Sequence, residues 1–436
     1  ISHQIKERNM LRDWLTRRRQ GKRSRIGRNI SRIALKVQIR IDATTASPTV
    51  KKLLSNGLQV LAPSLRHFPL ASYETRSTVV AKLAPQARFV TEPPRLVGAP
   101  PDPRYGTFPE IAARLFLGAE VFGEGSAIIH GSAIAVPPLY LDRPDLLITD
   151  GTFLISQWQD KGFAHCPSSA TVPCGVALFA SGAANWYHWL IEILPGALLA
   201  EALPAEFDDF PFLVSEECLR HQTFRDSLAL FTRQRQIRTL PAIKPVKVEK
   251  LIHIDGAVSG PMNLIKGKWP MASDYSQNGD VLLRYRATLL ERLGVTVGKP
   301  NRRIFLARGH GRRTYNQDEL LEIAKGYGFE AIYPERLSLR EQAETFASAE
   351  MVMGPSGAAF ANMLFCQTET RGLTWLLPQY SGFCAYSNLA KVVGMDLRYL
   401  FVTPHTPIRS SFDAYSAAYT LETERFSDAL RQMDLG

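Results

Sequence analysis

Between residues 302 and 379, short apolar runs alternate with amphipathic segments, and few folds accommodate this alternation. Strands are predicted where an apolar run lies between turn residues, and helices where apolar residues recur at helical spacing. Strands that alternate with helices build a parallel sheet with helices on its faces, so this region predicts a Rossmann-like domain. The predicted strands are RRIFLARG (302–309), FEAIYPE (329–335), the start of EMVMGPSGAAFANMLF (350–365) and TWLLPQ (374–379), and the predicted helices are NQDELLEIAKGYG (316–328), SLREQAETFASA (338–349) and the apolar end of 350–365.

Two of these helices begin with recognisable capping residues. Ser338 precedes the second helix and Glu341 follows three residues later, which is the pattern of a capping box. Asn316 is the corresponding cap of the first helix, with Glu319 at the third helical position. The sequence therefore predicts the helix starts as well as the helices.

A second α/β unit is predicted upstream of residue 300. Its strands are GVALFASG (175–182), FPFLVSEE (210–217) and VEKLIHID (248–255), and a helical segment, NWYHWLIEILP (185–195), follows the first of them. Residues 119–142 predict short strands and turns, and the Pro/Gly-rich residues 91–106 predict a linker or an extended loop. Because 436 residues exceed one ordinary core, we expect two α/β domains facing a cleft.

The net charge of +11 is confined to residues 1–40, which hold thirteen of the 52 Lys/Arg residues and two of the 41 Asp/Glu residues. Apolar residues such as Leu11, Trp14 and Ile30 are interleaved with the charges. A basic amphipathic segment is typical of binding to an anionic membrane surface, with a solvated tail and a nucleic-acid contact as alternatives. The rest of the chain is neutral, so no nucleic-acid partner is expected for it.

The cysteines and the apolar runs bear on compartment. Five scattered cysteines without a CxxC pair predict reduced thiols and no zinc site. No apolar run reaches the ~18 residues of a membrane span, and the charged start does not resemble a signal peptide. We therefore expect a cytoplasmic protein, with attachment to the inner membrane surface as the role of residues 1–40. Asp-x-Asp does not occur, and no metal site is expected.

The turn GPSGA at residues 354–358 is a candidate anion site. It lies between a predicted strand and a predicted helix, where free N–H groups and the helix dipole attract phosphate. Gly357 and Ala358 would let a ligand approach the main chain closely, and Ser356 could cap the helix or donate to a phosphate. Tight packing of strand against helix, without a ligand, explains the same residues.

An arginine cluster follows the first strand of the downstream unit. Ligands of α/β sheets gather at the carboxyl ends of strands, and the planar guanidinium fork binds two phosphate oxygens at once. A solvated basic loop is the alternative interpretation. The cluster consists of Arg302, Arg303, Arg308, Arg312 and Arg313.

The segment NWYHWLIEILP offers a possible acid–base pair. On a helix that Asn185 caps, His188 and Glu192 lie one turn apart on the same face. A histidine held by a carboxylate is a plausible general base near neutral pH. A buried aromatic helix, in which Glu192 merely satisfies His188, is the competing hypothesis.

Taken together, these three features resemble glycosyltransferase family 61, and in particular its bacterial capsular-polysaccharide branch. The likeness covers about 185–195 and 302–365, in the segments NWYHWLIEILP, LARGHGRRTYNQDELLEIAKGYGFEAIYPERLSLREQAETFASA and GPSGAAFANMLF. Ser356 stands where many members of the family have histidine.

The resemblance implies a GT-B-like architecture, with two Rossmann-like domains and a basic N-terminal extension. It also implies an inverting hexosyl- or pentosyltransferase, independent of metal and without a cofactor, that moves a sugar from a nucleotide-sugar to a glycan or lipid-linked acceptor. The expected segments are 1–40 (basic extension), 41–145 (linker and short strands), 146–298 (acceptor-side domain), 299–400 (nucleotide-sugar domain) and 401–436 (C-terminal segment with a closing helix).

On this interpretation His188 is the first candidate for the catalytic base, oriented by Glu192, with Glu335 as the second candidate. Trp186 and Tyr187 would stack on the acceptor sugar. The donor would be bound by Arg308, Arg313, Asn316, Glu335, Ser356, Gly357 and Ala358. A non-catalytic nucleotide- or polyanion-binding protein that keeps the fold is the alternative function.

Overall fold

A computed structural model describes residues 65–143, 145–148, 154–158, 161–165, 170–232, 235–242, 244–264, 267–309, 313–410, 413–414 and 417–434. The basic extension predicted at residues 1–40 lies outside the described residues, as does Arg312. From residue 67 onward the chain forms one compact unit, and this unit contains two large sheets.

The first sheet is mixed and has eleven strands. Its core order is β13-β12-β11-β14-β5-β6-β7-β1-β10-β9, and β2 pairs with β5. The strands are β1 Leu65–Ser72, β2 Thr78–Ala84, β5 Ile111–Val121, β6 Ile128–His130, β7 Ala133–Val136, β9 Leu154–Trp158, β10 Lys161–His165, β11 Ala170–Leu178, β12 Phe212–Ser215, β13 Ile237–Leu240 and β14 Val246–Ile254.

Four neighbouring strands of the first sheet, β11 to β14, run parallel. Their spatial order places the first strand beside the fourth, which is the order found in half of a doubly wound fold. Strand β5 lies next to β14, runs antiparallel to it and pairs with the whole length of β14. Strands predicted on either side of residue 145 therefore share one sheet.

The second sheet has five strands, all parallel, in the order β19-β18-β20-β21-β22. Numbered along the chain this order is 2-1-3-4-5, so the connections change direction between β18 and β20. The predicted βαβ run is confirmed. These strands are β18 Arg302–Leu306, β19 Glu330–Ile332, β20 Ala349–Pro355, β21 Arg371–Leu376 and β22 Asp396–Phe401.

The helices cover both sheets, and the remaining short strands form separate pairs. The α-helices are α1 Tyr73–Arg76, α2 Leu139–Asp142, α3 Pro195–Leu199, α4 Gln222–Thr232, α5 Gly279–Leu293, α6 Gln317–Lys325, α7 Leu339–Ala347, α8 Ala385–Val393 and α9 Thr423–Asp434. The short strands are β3 Ala87–Thr91, β4 Arg104–Phe108, β8 Leu146–Leu147, β15 Val258–Ser259, β16 Asn263–Leu264, β17 Ser276–Gln277, β23 Thr403–Pro404 and β24 Tyr419–Thr420.

Helix starts follow the predictions with one exception. Ser338 caps α7, and its reciprocal bonds with Glu341 complete the predicted capping box. Asn316 stands at the start of α6 but makes no side-chain cap bond. Its amide instead exchanges hydrogen bonds with the main chain of Leu421, at 3.0 and 3.1 Å. A contact between segments distant in sequence has replaced the local cap.

Other local structure also departs from the predictions. The apolar helix expected after the GPSGA turn is a 3₁₀ helix, Ala358–Phe365, rather than an α-helix. The remaining 3₁₀ turns are Ala200–Ala202, Ala205–Phe207, Cys218–Arg220, Ala272–Asp274, Pro334–Arg336 and Pro378–Tyr380. No helix in the described part of the chain is both long and apolar enough to cross a bilayer.

Candidate active site between the two sheets

A cavity of about 140 Å³ lies where the carboxyl ends of strands from both sheets meet. The first sheet contributes residues that follow β11 and β14, and the second contributes residues that follow β18, β20 and β21. In each sheet these strands include the pair at which the connections change direction, the usual location of ligand crevices in α/β folds. The fold therefore brings the point where the connections change direction in each sheet to the same cavity.

The segment NWYHWLIEILP forms a π-helix, His188–Ile193, entered from a single helical turn. The Asn185 side chain accepts a hydrogen bond from Tyr187 N at 2.9 Å, so the predicted cap is present. Leu194 N reaches back five residues to Trp189 O at 2.9 Å. Pro195 follows, and it has no N–H to donate. Single π turns occur frequently at functional sites.

His188 and Glu192 are joined on the cavity side of this π-helix. His188 Nδ1 lies 2.6 Å from Glu192 Oε2, and both side chains line the cavity. Burial lowers the pKa of His188, but the charge and hydrogen bond of Glu192 outweigh it, so the pKa is raised above 6.5. Trp189, Leu190 and Ile191 are buried on the opposite side. Both interpretations of the sequence thus describe part of the same helix.

Gly182 lies beside the imidazole and leaves room for it. Its φ of +74° is left-handed, and a β-carbon there would lie 2.8 Å from His188 Cδ2 and 3.0 Å from Met262 Cε. Only glycine fits without displacing one of them. A side chain at position 182 would therefore disturb the ring that contacts Glu192.

Trp186 and Tyr187 occupy different environments. The Trp186 indole donates to Asn362 Oδ1 at 2.9 Å, and Asn362 in turn donates to Gln342 at 2.9 Å. Trp186 is not among the residues that line the cavity, and its hydrogen bond links the segment after β11 to the segment after β20. Tyr187 does line the cavity, and its hydroxyl donates to Ala385 O at 3.1 Å.

Arg308 is the central cation behind the part of the cavity wall that the second sheet forms. Its guanidinium donates to Ser356 O at 2.7 Å and to Arg313 O at 3.3 Å, and its main chain is held by the Gln317 side chain. Burial lowers its pKa. Among the described residues no carboxylate pairs with Arg308. A partly buried cation without an anionic partner is costly, and a bound anion would relieve that cost.

The other arginines of the cluster divide into two kinds. Arg302 and Arg303 point to neighbouring strands and pair with Glu330 and Glu350, each at 2.6 Å. Arg313 lines the cavity and has a left-handed φ of +62°. The structure therefore brings Arg313 to the cavity wall and Arg308 to the GPSGA turn behind that wall, and it pairs Arg302 and Arg303 with carboxylates elsewhere.

The GPSGA turn lies at the end of β20, beside Arg308. Gly354, at φ +154°, brings β20 so close to β18 that a β-carbon would lie 2.7 Å from Leu306 Cβ. Ser356, Gly357 and Ala358 line the cavity. Ser356 N already donates to Trp375 O at 3.2 Å, so this N–H is not available to a phosphate, contrary to expectation. The N–H groups of Gly357 and Ala358 remain candidates.

Asn316 and Glu335 do not line the cavity. The bonds of Asn316 to Leu421 and Glu319 give it a structural position. Glu335 is exposed on the turn after β19, with Oε1 3.3 Å from the position that a β-carbon would take at Gly309. It therefore lies beside Gly309, the residue after Arg308, and outside the lining of the cavity.

Much of the cavity wall was not identified from the sequence. Aromatic rings form a contact chain, with Tyr187 5.4 Å from Tyr386 and Phe383 5.2 Å from Tyr386, and Tyr419 completes the wall beside Arg308. These residues come from apolar segments that look like ordinary core. No local sequence pattern identifies them, because they come together only in the tertiary structure.

The described residues contain no group of three His, Cys, Asp or Glu side chains arranged to hold a metal ion. The four described cysteines are free thiols.

These features define a mixed α/β protein whose parallel strand ends enclose a histidine–carboxylate pair and a buried arginine. Residues 186–373 match the family model described as Glycosyltransferase 61. This span contains His188, Glu192, Arg308 and the GPSGA turn, and it supports the assignment of this region as a glycosyltransferase 61 domain. A search of curated proteins found no match.

Proposed function

We propose that this protein is an inverting glycosyltransferase that moves a hexose or pentose from a nucleotide-sugar to a hydroxyl of a glycan or lipid-linked acceptor. The observation that carries the proposal is the shared cavity. One wall holds the His188–Glu192 pair, and another holds Arg313 and the GPSGA turn in front of the buried Arg308. Glycosyl transfer requires a base at one end and an anion site at the other.

His188 is proposed as the base. Its Nδ1 is engaged by Glu192, so Nε2 is the nitrogen left to accept the proton of the acceptor hydroxyl. The raised pKa makes the neutral imidazole a stronger base towards the acceptor hydroxyl. The acceptor oxygen then bonds to the anomeric carbon as the bond to the diphosphate breaks on the opposite face. One such displacement inverts the configuration. Glu335 remains the alternative base.

Arg308 and Arg313 are proposed to bind the leaving diphosphate. Charge that develops on the leaving group is stabilised best by donors that are already oriented, and Arg308 is fixed by two main-chain carbonyls. The N–H groups of Gly357 and Ala358 would add donors from the turn. The cations take the charge-neutralising role, so the proposal includes neither a metal ion nor a cofactor.

The wider setting is also a proposal. The two sheets support a GT-B-like arrangement, with the first sheet on the acceptor side and the second on the nucleotide side. A cytoplasmic enzyme of capsular-type polysaccharide biosynthesis, attached to the inner membrane surface by residues 1–40, fits the charge distribution.

The test is a panel of nucleotide-sugars, screened first for binding by ligand-detected NMR and then for hydrolysis or transfer, with and without chelator. His188→Ala should abolish turnover and leave nucleotide affinity unchanged, since His188 lies on the acceptor side. His221→Ala, on the surface near Phe224, is the matched control and should retain turnover. Binding without turnover of any member by the wild type would favour the non-catalytic alternative. Full activity in His188→Ala would remove the proposed base.

A further inference from the structure

A segment upstream of the family match holds one wall of the cavity. Residues 139–143 and 145–148 contact residues 261–275 at three places. Tyr140 Oη accepts a hydrogen bond from Met262 N at 3.1 Å, and β8 pairs with β16. Arg143 pairs with Asp274, whose side chain is almost fully buried. The wall residues Gly260, Pro261, Met262 and Tyr275 belong to or adjoin this held segment.

Met262, which belongs to this held segment, lies near the proposed base His188. Met262 Cε and His188 Cδ2 lie near each other, since both lie close to the position that a β-carbon would take at Gly182, at 3.0 and 2.8 Å. Both residues line the cavity. The position of Met262 therefore sets one boundary of the space next to the imidazole.

Tyr140 is buried, and its surroundings keep its hydroxyl un-ionised. Burial raises the pKa of Tyr140 to about 12, and the nearby Glu192 charge adds to the effect, although the Met262 N–H opposes it. The phenol consequently remains a neutral acceptor for Met262 N at any ordinary pH. Its hydrogen bond is a fixed link from helix α2, which follows strand β7 of the first sheet, to the cavity wall.

We propose that Tyr140 is a positioning residue, which holds the Met262 main chain so that the Met262 side chain shields His188 and shapes the acceptor end of the cavity. The acceptor part of this inference rests on the proposed function; the placement of Met262 against His188 does not. The residue lies outside the matched span 186–373, so the site extends beyond the family domain.

The first test needs no substrate. Methionine ε-methyl groups are labelled with ¹³C, and the Met262 signal among the eight methionines is assigned with Met262→Leu. In the wild type this signal should shift with pH as His188 titrates, with a midpoint above 6.5. In Tyr140→Phe the size of this pH-dependent change in the Met262 chemical shift should fall by at least about twofold, because the influence of the imidazolium charge weakens with distance.

Thr370→Val is the control for a general loss of stability. It removes a buried hydroxyl bond to Ala349 O, at 3.1 Å, from the second sheet and should leave the Met262 titration unchanged. An unchanged titration in Tyr140→Phe would overturn the inference. So would a wild-type signal that does not titrate, or an equal loss of amplitude in Thr370→Val.

The second test uses whichever nucleotide-sugar and alkyl glycoside pair turns over. Tyr140→Phe should raise the acceptor KM by about twofold to tenfold, the effect of one lost neutral hydrogen bond, with the donor KM unchanged. Equal changes in both KM values would assign Tyr140 a merely structural role. If no pair turns over in the wild type, the proposed function fails, while the methyl titration still decides the placement of Met262.

Discussion

Gly182→Ala should misplace His188 without unfolding the protein. The left-handed φ of +74° costs alanine about 1 kcal/mol. In addition, the new methyl group would lie 2.8 Å from His188 Cδ2, which is about 0.6 Å inside the 3.4 Å limit of ordinary contact. The imidazole must shift by a similar distance to relieve this clash, and the shift would disturb its 2.6 Å contact with Glu192. A shift approaching 1 Å at a reacting group costs up to about 100-fold in rate.

Gly118→Ala provides a closely matched control. Gly118 has the same φ of +74°, and nothing lies within 4 Å of its β-carbon position. Both variants should lose similar stability from strain, as measured by urea unfolding. Only Gly182→Ala should lower turnover, by about tenfold to 100-fold, and lower the His188 pKa measured by NMR as the Glu192 contact lengthens. Equal His188 pKa values in the two glycine variants would refute the assigned role of Gly182.

Three further perturbations test separate parts of the molecule. Arg308→Gln should weaken binding of a nucleoside diphosphate about tenfold to 100-fold by calorimetry, whereas Arg303→Gln, whose charge is already paired, should not. Burial lowers the pKa of His253 to about 4, so only the unfolded state gains a proton at this residue as pH falls from 6.5. Urea unfolding should therefore show that the free energy of unfolding falls by about 2 kcal/mol between pH 7 and 5. The same change in pH should lower the free energy of unfolding of His253→Gln by correspondingly less. Deletion of residues 1–40 should reduce binding to anionic vesicles and spare turnover of a soluble acceptor; unaltered vesicle binding would contradict the membrane role.

Local patterns predicted the second sheet because its structure is built from consecutive units. Each strand from β18 to β21 lies within a few residues of a predicted apolar run, and α7 starts at its predicted capping box. Consecutive βαβ units need only neighbouring segments, so hydrophobic periodicity and capping residues carry the information. The order 2-1-3-4-5 did not follow from these signals, since it depends on which strands pair.

The positions of side chains around the cavity depended on distant segments. Asn316 has the sequence signature of a cap, yet Leu421, more than one hundred residues away, takes its hydrogen bonds. Tyr140 and Tyr419 reach the site region from opposite ends of the described chain, and neither stands in a motif. The π-helix was also unpredicted, because the same apolar spacing fits an ordinary α-helix.

The arginine cluster shows why the site needed a structure even though its residues were recognised. In sequence the five arginines form one cluster at a predicted strand end, and only the family resemblance singled out Arg308 and Arg313. In the fold, Arg302 and Arg303 meet glutamates on neighbouring strands, whereas the Arg308 guanidinium donates to two carbonyl oxygens and pairs with no carboxylate of the described residues. A charge that the protein has already neutralised offers little to a ligand, while a buried unpaired charge makes anion binding favourable. The information about function therefore lies in which cation lacks a carboxylate, and that depends on strand pairing rather than on composition.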